Sequence, residues 1–169
     1  MPRNVEVKIR VDDLETIRSR ALALGAADRG PLHQVDTYFR TPSARGARLK
    51  LREHRPGRSE LIAYRRPDTA GLRASDFHLV PVDDPTALRE ALAHALGVAR
   101  QVTKTRHLLL LGRTRIHLDH VEGLGDFLEL EVVLDERDDV ALGEQEAERI
   151  LAQLALGDRP RIPGSYADL

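Results

Sequence analysis

The chain has 169 residues and no cysteine. That length fits one domain burying roughly two-thirds of the surface its unfolded form exposes, and the lack of cysteine excludes a disulfide framework, a thiol nucleophile and Cys-ligated zinc. Lys and Arg number 26 against 27 for Asp and Glu, a net charge of -1, so no overall basic excess points to nucleic acid as a partner.

Asn4 to Val11 alternates polar and apolar residues strictly, which at a period of two is a strand with one charged and one apolar face. The same stretch lacks the apolar core of a signal peptide. No uninterrupted apolar run approaches the roughly 18 residues of a membrane span, so a cytoplasmic protein with no membrane partner is expected. Asp12, with Glu15 three positions on, is placed to cap a helix that carries Leu14, Ile17, Ala21 and Leu24 and stops at Gly25. Strand patterns then run over His33 to Phe39, Ala47 to Glu53, Ser59 to Arg66 and Asp76 to Val82. Pro42 to Gly46, Pro56-Gly57 and Pro67 to Gly71 separate them. Asp84-Pro85 supplies an N-cap and a first-turn proline for a second helix, with Leu88, Leu92 and Leu96 on its apolar side and Gly97 at its end. Gln101 to Leu111, Thr114 to Val121 and Phe127 to Leu134 read as strands, turning at Gly112 and at Gly123 to Gly125, and a third helix is expected over about Gly143 to Leu156. With no internal repeat or linker, the pattern predicts a single β-rich α+β domain over residues 1-169.

Only three basic residues are lysines: Lys8, Lys50 and Lys104. In a chain that otherwise writes Arg, a retained ammonium suggests a site wanting compact charge, although a codon bias toward Arg would leave the same three behind. Their neighbours are more telling. Arg48, Lys50 and Arg52 alternate with Leu49 and Leu51, so the three cations point to one side. Lys104 and Arg106 repeat the arrangement, and Arg65 offers another cation. Glu129 and Glu131 share a face opposite Leu128, Leu130 and Val132, Glu6 lies beside Lys8, and Asp119 adds a fourth carboxylate.

Two architectures accommodate such faces. In an open antiparallel sheet the charged side lies in water and the leucine side on helices. If the strands instead curl into a barrel, the charged side lines a lumen, where cations hold a polyanion and carboxylates hold a divalent metal. Segregated signs favour the second arrangement, because a plain surface intersperses them. Oxygen ligands select a hard ion such as Mg2+ or Mn2+, bridging carboxylates to phosphate oxygens. Other chemistries lack their patterns. The seven histidines form no His-Glu-x-x-His motif, Ser43 and Ser165 lack a nucleophile-elbow context, and Gly123-Leu124-Gly125 reads as a turn without the Gly-Lys-Ser/Thr ending of a phosphate loop. The leucine-lined helices allow a homodimer without specifying one.

The chain resembles the CYTH superfamily, the triphosphate tunnel metalloenzymes, and within it the class IV adenylyl cyclase branch. The likeness is carried in order by Val5-Glu6-Val7-Lys8, Asp36-Thr37-Tyr38-Phe39, Leu49-Lys50-Leu51-Arg52, Tyr64-Arg65-Arg66-Pro67, Lys104-Thr105-Arg106, His117-Leu118-Asp119 and Gly125 to Glu131. The resemblance implies an α+β fold, an eight-stranded antiparallel β-barrel with helices packed outside, forming a tunnel whose basic residues Lys8, Lys50, Arg52, Arg65, Lys104 and Arg106 bind a triphosphate. It implies that Glu6, Glu129 and Glu131, with Asp119 nearby, hold Mg2+ or Mn2+. The implied activity is cyclisation of ATP to cyclic AMP and pyrophosphate. Hydrolysis of inorganic triphosphate, thiamine triphosphate or another organic triphosphate, and binding without turnover, remain as alternatives. One position departs from the family. Its signature Glu-x-Glu-x-Lys is here Asn4-Val5-Glu6-Val7-Lys8, so a neutral amide replaces the first carboxylate.

Overall fold

In a computed structural model, residues 3–42, 46–65, 73–135 and 137–169 are described. Among them are eight strands and three α-helices: β1 (Arg3–Arg10), α1 (Leu14–Ala23), β2 (Ala27–Phe39), β3 (Ala47–Arg55), β4 (Ser59–Arg65), β5 (Arg73–Val82), α2 (Pro85–Leu96), β6 (Val98–Leu111), β7 (Thr114–Val121), β8 (Gly125–Leu134) and α3 (Val140–Gln153). All pairings are antiparallel, in the order β1-β5-β4-β3-β2-β6-β7-β8. β1 pairs with β8 along Arg3 to Arg10 and with β5 along Arg3 to Glu6. No helix among the described residues is long and apolar enough to cross a membrane.

The strict alternation within the strands sorts the two faces. Val5, Val7 and Ile9 of β1, with Leu128, Leu130 and Val132 of β8, are fully buried on the outer side of the sheet. There α1 and α3 cover them with Ile17, Ala21, Ile150, Leu151 and Leu154. A second apolar cluster, Phe39, Leu51 and Val82, lies beneath Leu88, Leu92 and Leu96 of α2. The charged residues of the same strands are thereby turned to the opposite face.

Several boundaries differ from the sequence-based expectation, each for a local reason. The cap of α1 is Asp13, not Asp12: its Oδ1 accepts from Glu15 N and Thr16 N, both at 3.0 Å, and its Oδ2 from the Thr16 hydroxyl at 2.6 Å. Asp84 caps α2 as expected, accepting from Ala87 N at 3.0 Å. The third helix starts earlier than Gly143, because Asp139 accepts from Ala141 N at 3.0 Å and so caps Val140. β2 begins at Ala27 rather than His33, since a register shift between Asp28 and Pro31 lets a turn-like stretch keep pairing with β6. Arg66 and the break Pro67 to Gly71 lie outside the described residues, as do Ser43 to Arg45 within Pro42 to Gly46.

Residues 157–169, where the sequence shows no regular element, follow the rim of the sheet. Ile162 N donates to Lys8 O at 2.9 Å, and Ser165 and Asp168 cap a short 3-10 turn, Tyr166–Asp168. That turn buries Tyr166 with its ring 5.0 Å from Phe127.

Gly143 sits inside α3 because of close packing. A Cβ there would lie 2.9 Å from both Leu134 Cδ2 and Val5 Cγ2. Gly143→Ala gains about 1 kcal/mol of helix propensity but overpacks the α3 contact by about 2 kcal/mol. A net loss of about 1 kcal/mol is expected in urea melts, and a stabilised variant would show that the helix moves outward freely.

Candidate active site: a charged cavity

The inner face of the sheet lines a cavity of about 460 Å³. Among the described residues six cations border it: Lys8, Lys50, Arg52, Lys104, Arg106 and Arg115. Four carboxylates, Glu6, Glu60, Glu129 and Glu131, border it as well. Burying so many ammonium and guanidinium groups demands compensation.

Most of that compensation comes from two carboxylates buried behind the lining. Asp36 on β2 has no exposed surface. It accepts from Lys50 Nζ at 3.0 Å, from Arg52 Nε and Nη2 at 2.7 and 2.8 Å, and from Lys104 Nζ at 3.4 Å. Register explains the convergence: Asp36 pairs with Arg52 across β3, while its neighbour Gln34 pairs with Lys104 across β6. Burial alone would raise the Asp36 pKa, but Arg52, Lys50 and Lys104 hold it well below the usual carboxylate range. Asp119 on β7 makes the second anchor. Its two oxygens receive Arg106 Nε and Nη2 at 2.7 and 2.6 Å, and the Tyr166 hydroxyl donates to Oδ2 at 2.7 Å.

The lysines respond to this crowding. Burial, reinforced by Arg52, brings Lys50 down to about 8, and burial with Arg106 pushes Lys104 well below its ordinary value. Arg106 goes the other way. Burial opposes its charge, yet Asp119 and Glu129 together raise it. Lys8 lies 3.6 Å from Glu129 and 4.1 Å from the Tyr166 ring centroid, and its Nζ donates to Gly164 O at 3.2 Å.

The carboxylate side is built by β1, β7 and β8. Glu129 lies 3.7 Å from Arg106 and 4.0 Å from His117. Glu131 lies 3.2 Å from Arg115 and 3.9 Å from His117, and the Asn4 amide donates to its Oε1. The Asn4 Oδ1 is buried and accepts no hydrogen bond. Burial, with Arg106 next, keeps His117 neutral by lowering its pKa well below the ordinary value.

A family model for the CYTH domain matches residues 2–166. The chain belongs to the CYTH family. Adenylate cyclase CyaB of Aeromonas hydrophila is 25% identical over 170 residues, covering 98% of this chain and 87% of that protein. The PH1012 protein of Pyrococcus horikoshii has the same fold at a TM-score of 0.86 and 27% identity, over 98% of both chains. HpAC1 of Hippeastrum, an adenylyl cyclase by name with a dominant triphosphatase activity, shares the fold at a TM-score of 0.66 and 14% identity, over 96% of this chain and 92% of that one.

Within this CYTH chain, the cavity gathers Glu6, Lys8, Lys50, Arg52, Lys104, Arg106, Glu129 and Glu131. Two residues singled out from sequence sit differently. Arg65 is exposed and does not line the cavity, because Ile62 and Tyr64 take the inward positions of β4 and parity sends Arg65 outward. Asp119 is not in the lining either, and Arg106 and Tyr166 occupy its oxygens. Arg48 shares the cation face of β3 but reaches Asp168 at 2.6 Å in the terminal turn. Sequence reading missed Arg115, whose alternation with His117 was a usable signal. It also missed the anchoring role of Asp36, and Tyr166, whose segment has no periodicity.

Asp36→Asn leaves Lys50, Arg52 and Lys104 without their shared anion. A loss of roughly 3 to 5 kcal/mol in unfolding free energy is expected, with a larger stabilisation by added inorganic triphosphate than in the native chain. Equal stability in a urea titration would refute the anchoring role. Lys50, depressed toward 8, is charged below that pH and loses its proton above it. Polyanion binding therefore takes up a proton near pH 8 to 9, and affinity falls as pH rises through that window. Calorimetry in buffers of different ionisation enthalpy reads the uptake directly.

Proposed function

We propose that this CYTH chain is a metal-dependent enzyme whose sheet works as a barrel, a tunnel that holds a triphosphate along its cationic wall. The observation that carries this reading is the convergence of Lys8, Lys50, Arg52, Lys104 and Arg106 on one cavity, opposite Glu6, Glu129 and Glu131. A triphosphate tail is the small ligand whose charge such a wall matches, and Arg52 and Arg106 are preoriented for it by Asp36 and Asp119. The leading reaction is that of the cyclase relative, ATP to cyclic AMP and pyrophosphate. Hydrolysis of inorganic triphosphate, thiamine triphosphate or another organic triphosphate is the second reading, because the same wall neutralises charge whichever oxygen attacks.

The oxygen donors suit Mg2+ or Mn2+. Glu6, Glu129 and Glu131 with the unpartnered Asn4 Oδ1 form a set without sulfur. Among the described residues no three His, Asp or Glu side chains are grouped to hold an ion alone. That suits a hard ion taking one or two carboxylates and completing its shell with substrate phosphates and water. When bound, such an ion supplies positive charge to the reacting phosphate. The chain's own groups do the rest: the lysines and arginines bind and align the phosphates, while Asp119 and Tyr166 fix Arg106.

In cyclisation the ribose 3'-hydroxyl oxygen forms a bond to the α-phosphorus and gives its proton to solvent, the bond from that phosphorus to the α,β-bridging oxygen breaks, and pyrophosphate leaves with the electron pair. In hydrolysis a water oxygen forms a bond to the terminal phosphorus and gives a proton to solvent, the bond from that phosphorus to its bridging oxygen breaks, and the diphosphate end leaves while orthophosphate keeps the water oxygen. Incubation of the purified protein with ATP, inorganic triphosphate or thiamine triphosphate, each with Mg2+ or Mn2+, separates the readings by product. Cyclic AMP with pyrophosphate is expected, and phosphate alone assigns a triphosphatase. Intact substrates that nevertheless raise the melting temperature would leave a binding module. Glu131→Gln is expected to abolish metal-supported turnover while preserving the fold. Asn4→Glu places a carboxylate against Glu131, so the metal-free melting temperature should fall and the shift on adding Mn2+ should grow. A shift no larger than that of the native chain would argue against a metal between these positions.

A further inference from the structure

Along β2 the inward residues are Leu32, Gln34, Asp36 and Tyr38, each about 7 Å from the next. Chemistry changes along that line. Asp36 collects the cations, whereas Leu32 is apolar, one of three leucines in the lining with Leu79 and Leu108. Gln34 stands between them, 2% exposed. Its Nε2 lies 3.3 Å from His54 Nδ1, and His54 Nε2 lies 3.5 Å from Glu60 Oε2.

This chain of contacts sets the direction of the amide. The Glu60 carboxylate only accepts, so the hydrogen of a neutral His54 belongs on Nε2, leaving Nδ1 bare to accept from the Gln34 amide nitrogen. Burial, with Arg52 next, lowers the His54 pKa in keeping with the neutral ring. The Gln34 Oε1 is then the remaining acceptor, and it is buried with no partner among the described residues. A buried acceptor left unmatched is a desolvation loss that a ligand donor would recover. At the opposite end the polar groups are engaged: Tyr166 on Asp119, and Ser165 with Asp168.

Resting on the triphosphate reading above, we infer that Gln34 is a specificity-determining residue that accepts from the amine of a heteroaromatic head group, so that the substrate class is an organic triphosphate bearing such an amine. The tail lies on the Asp36 cation cluster and the head against Leu32, Leu79 and Leu108. Inorganic triphosphate fills only the first part.

Calorimetric titration without metal, where no turnover interferes, tests the assignment with four probes: ATP, purine riboside triphosphate, thiamine triphosphate and inorganic triphosphate. Purine riboside triphosphate carries hydrogen in place of the adenine amine. The native chain is expected to bind ATP roughly tenfold or more tightly than this analogue, and in Gln34→Met the ratio should fall to about one. If the amine it reads is that of thiamine, thiamine triphosphate shows the loss on Gln34→Met instead. A native ratio near one with no thiamine triphosphate loss, or a ratio that survives in Gln34→Met, overturns the role of Gln34. Head groups stacking on the tyrosines at the other end would give that result. Should Gln34→Met not fold, an ATP ratio near one in the native chain, with thiamine triphosphate binding no more tightly than inorganic triphosphate, overturns it equally. Inorganic triphosphate that fails to bind overturns the tail site itself, a failure distinct from that of the head-group assignment.

Discussion

The buried carboxylate of Asp36 is the contact on which the site depends. Three cations on two strands point inward because alternation leaves them no other direction, and in a confined space their repulsion would open the sheet. One anion behind the lining, paired through the register of β2 with β3 and β6, makes the crowding tolerable. Asp119 does the same for Arg106, with Tyr166 completing its hydrogen bonds. Neither carboxylate neutralises the wall. Among the described residues six cations border the cavity against four carboxylates, with the two anchors set behind them, so this part of the lining balances only by drawing on groups a ligand does not meet.

The site is thus held in two layers that ask different things of a residue. The anchors must be buried, charged and saturated, which suits Asp on a central strand. The lining must be buried yet able to exchange partners. Lys8, paired with Glu129 at 3.6 Å, is placed to do so, since a bridge of that length is weaker than the fork that fixes Arg106 at 2.6 and 2.7 Å. Lys and Arg divide along these lines. Lys50 and Lys104 carry compact charge whose pKa falls on burial among the arginines, while Arg52 and Arg106 carry geometry.

The faces of the strands were legible because a period of two is a local property. Lys50 and Arg52, Lys104 and Arg106, and Glu129 and Glu131 fall on the cavity side as alternation requires. What alternation cannot supply is parity relative to a distant strand. Arg65 was grouped with the cations by its neighbourhood in sequence, yet the inward positions of β4 belong to Ile62 and Tyr64. Asp119 illustrates a second gap: a carboxylate that sequence groups with Glu129 and Glu131 has its oxygens taken by Arg106 and Tyr166, contacts that no local pattern shows. Tyr166 itself belongs to a segment held by single contacts, the Lys8 carbonyl and the Arg48 to Asp168 ion pair, and such contacts leave no periodic trace.

Asn4 brings these strands of argument together. An acid at this position would face the Glu131 carboxylate directly, with Arg115, 3.2 Å from the other Glu131 oxygen, offsetting only part of the repulsion. An amide instead donates to Glu131 and offers an oxygen beside it. The ion-free cavity is therefore more stable with Asn4 than it would be with Glu, and the attraction for a metal is correspondingly smaller. The same trade appears at Gln34, where an amide is oriented by His54 and Glu60 and keeps one acceptor unmatched. At both positions a neutral side chain holds its neighbours in place without a ligand while leaving one oxygen for it, which is how a cavity this charged can be assembled before its substrate arrives.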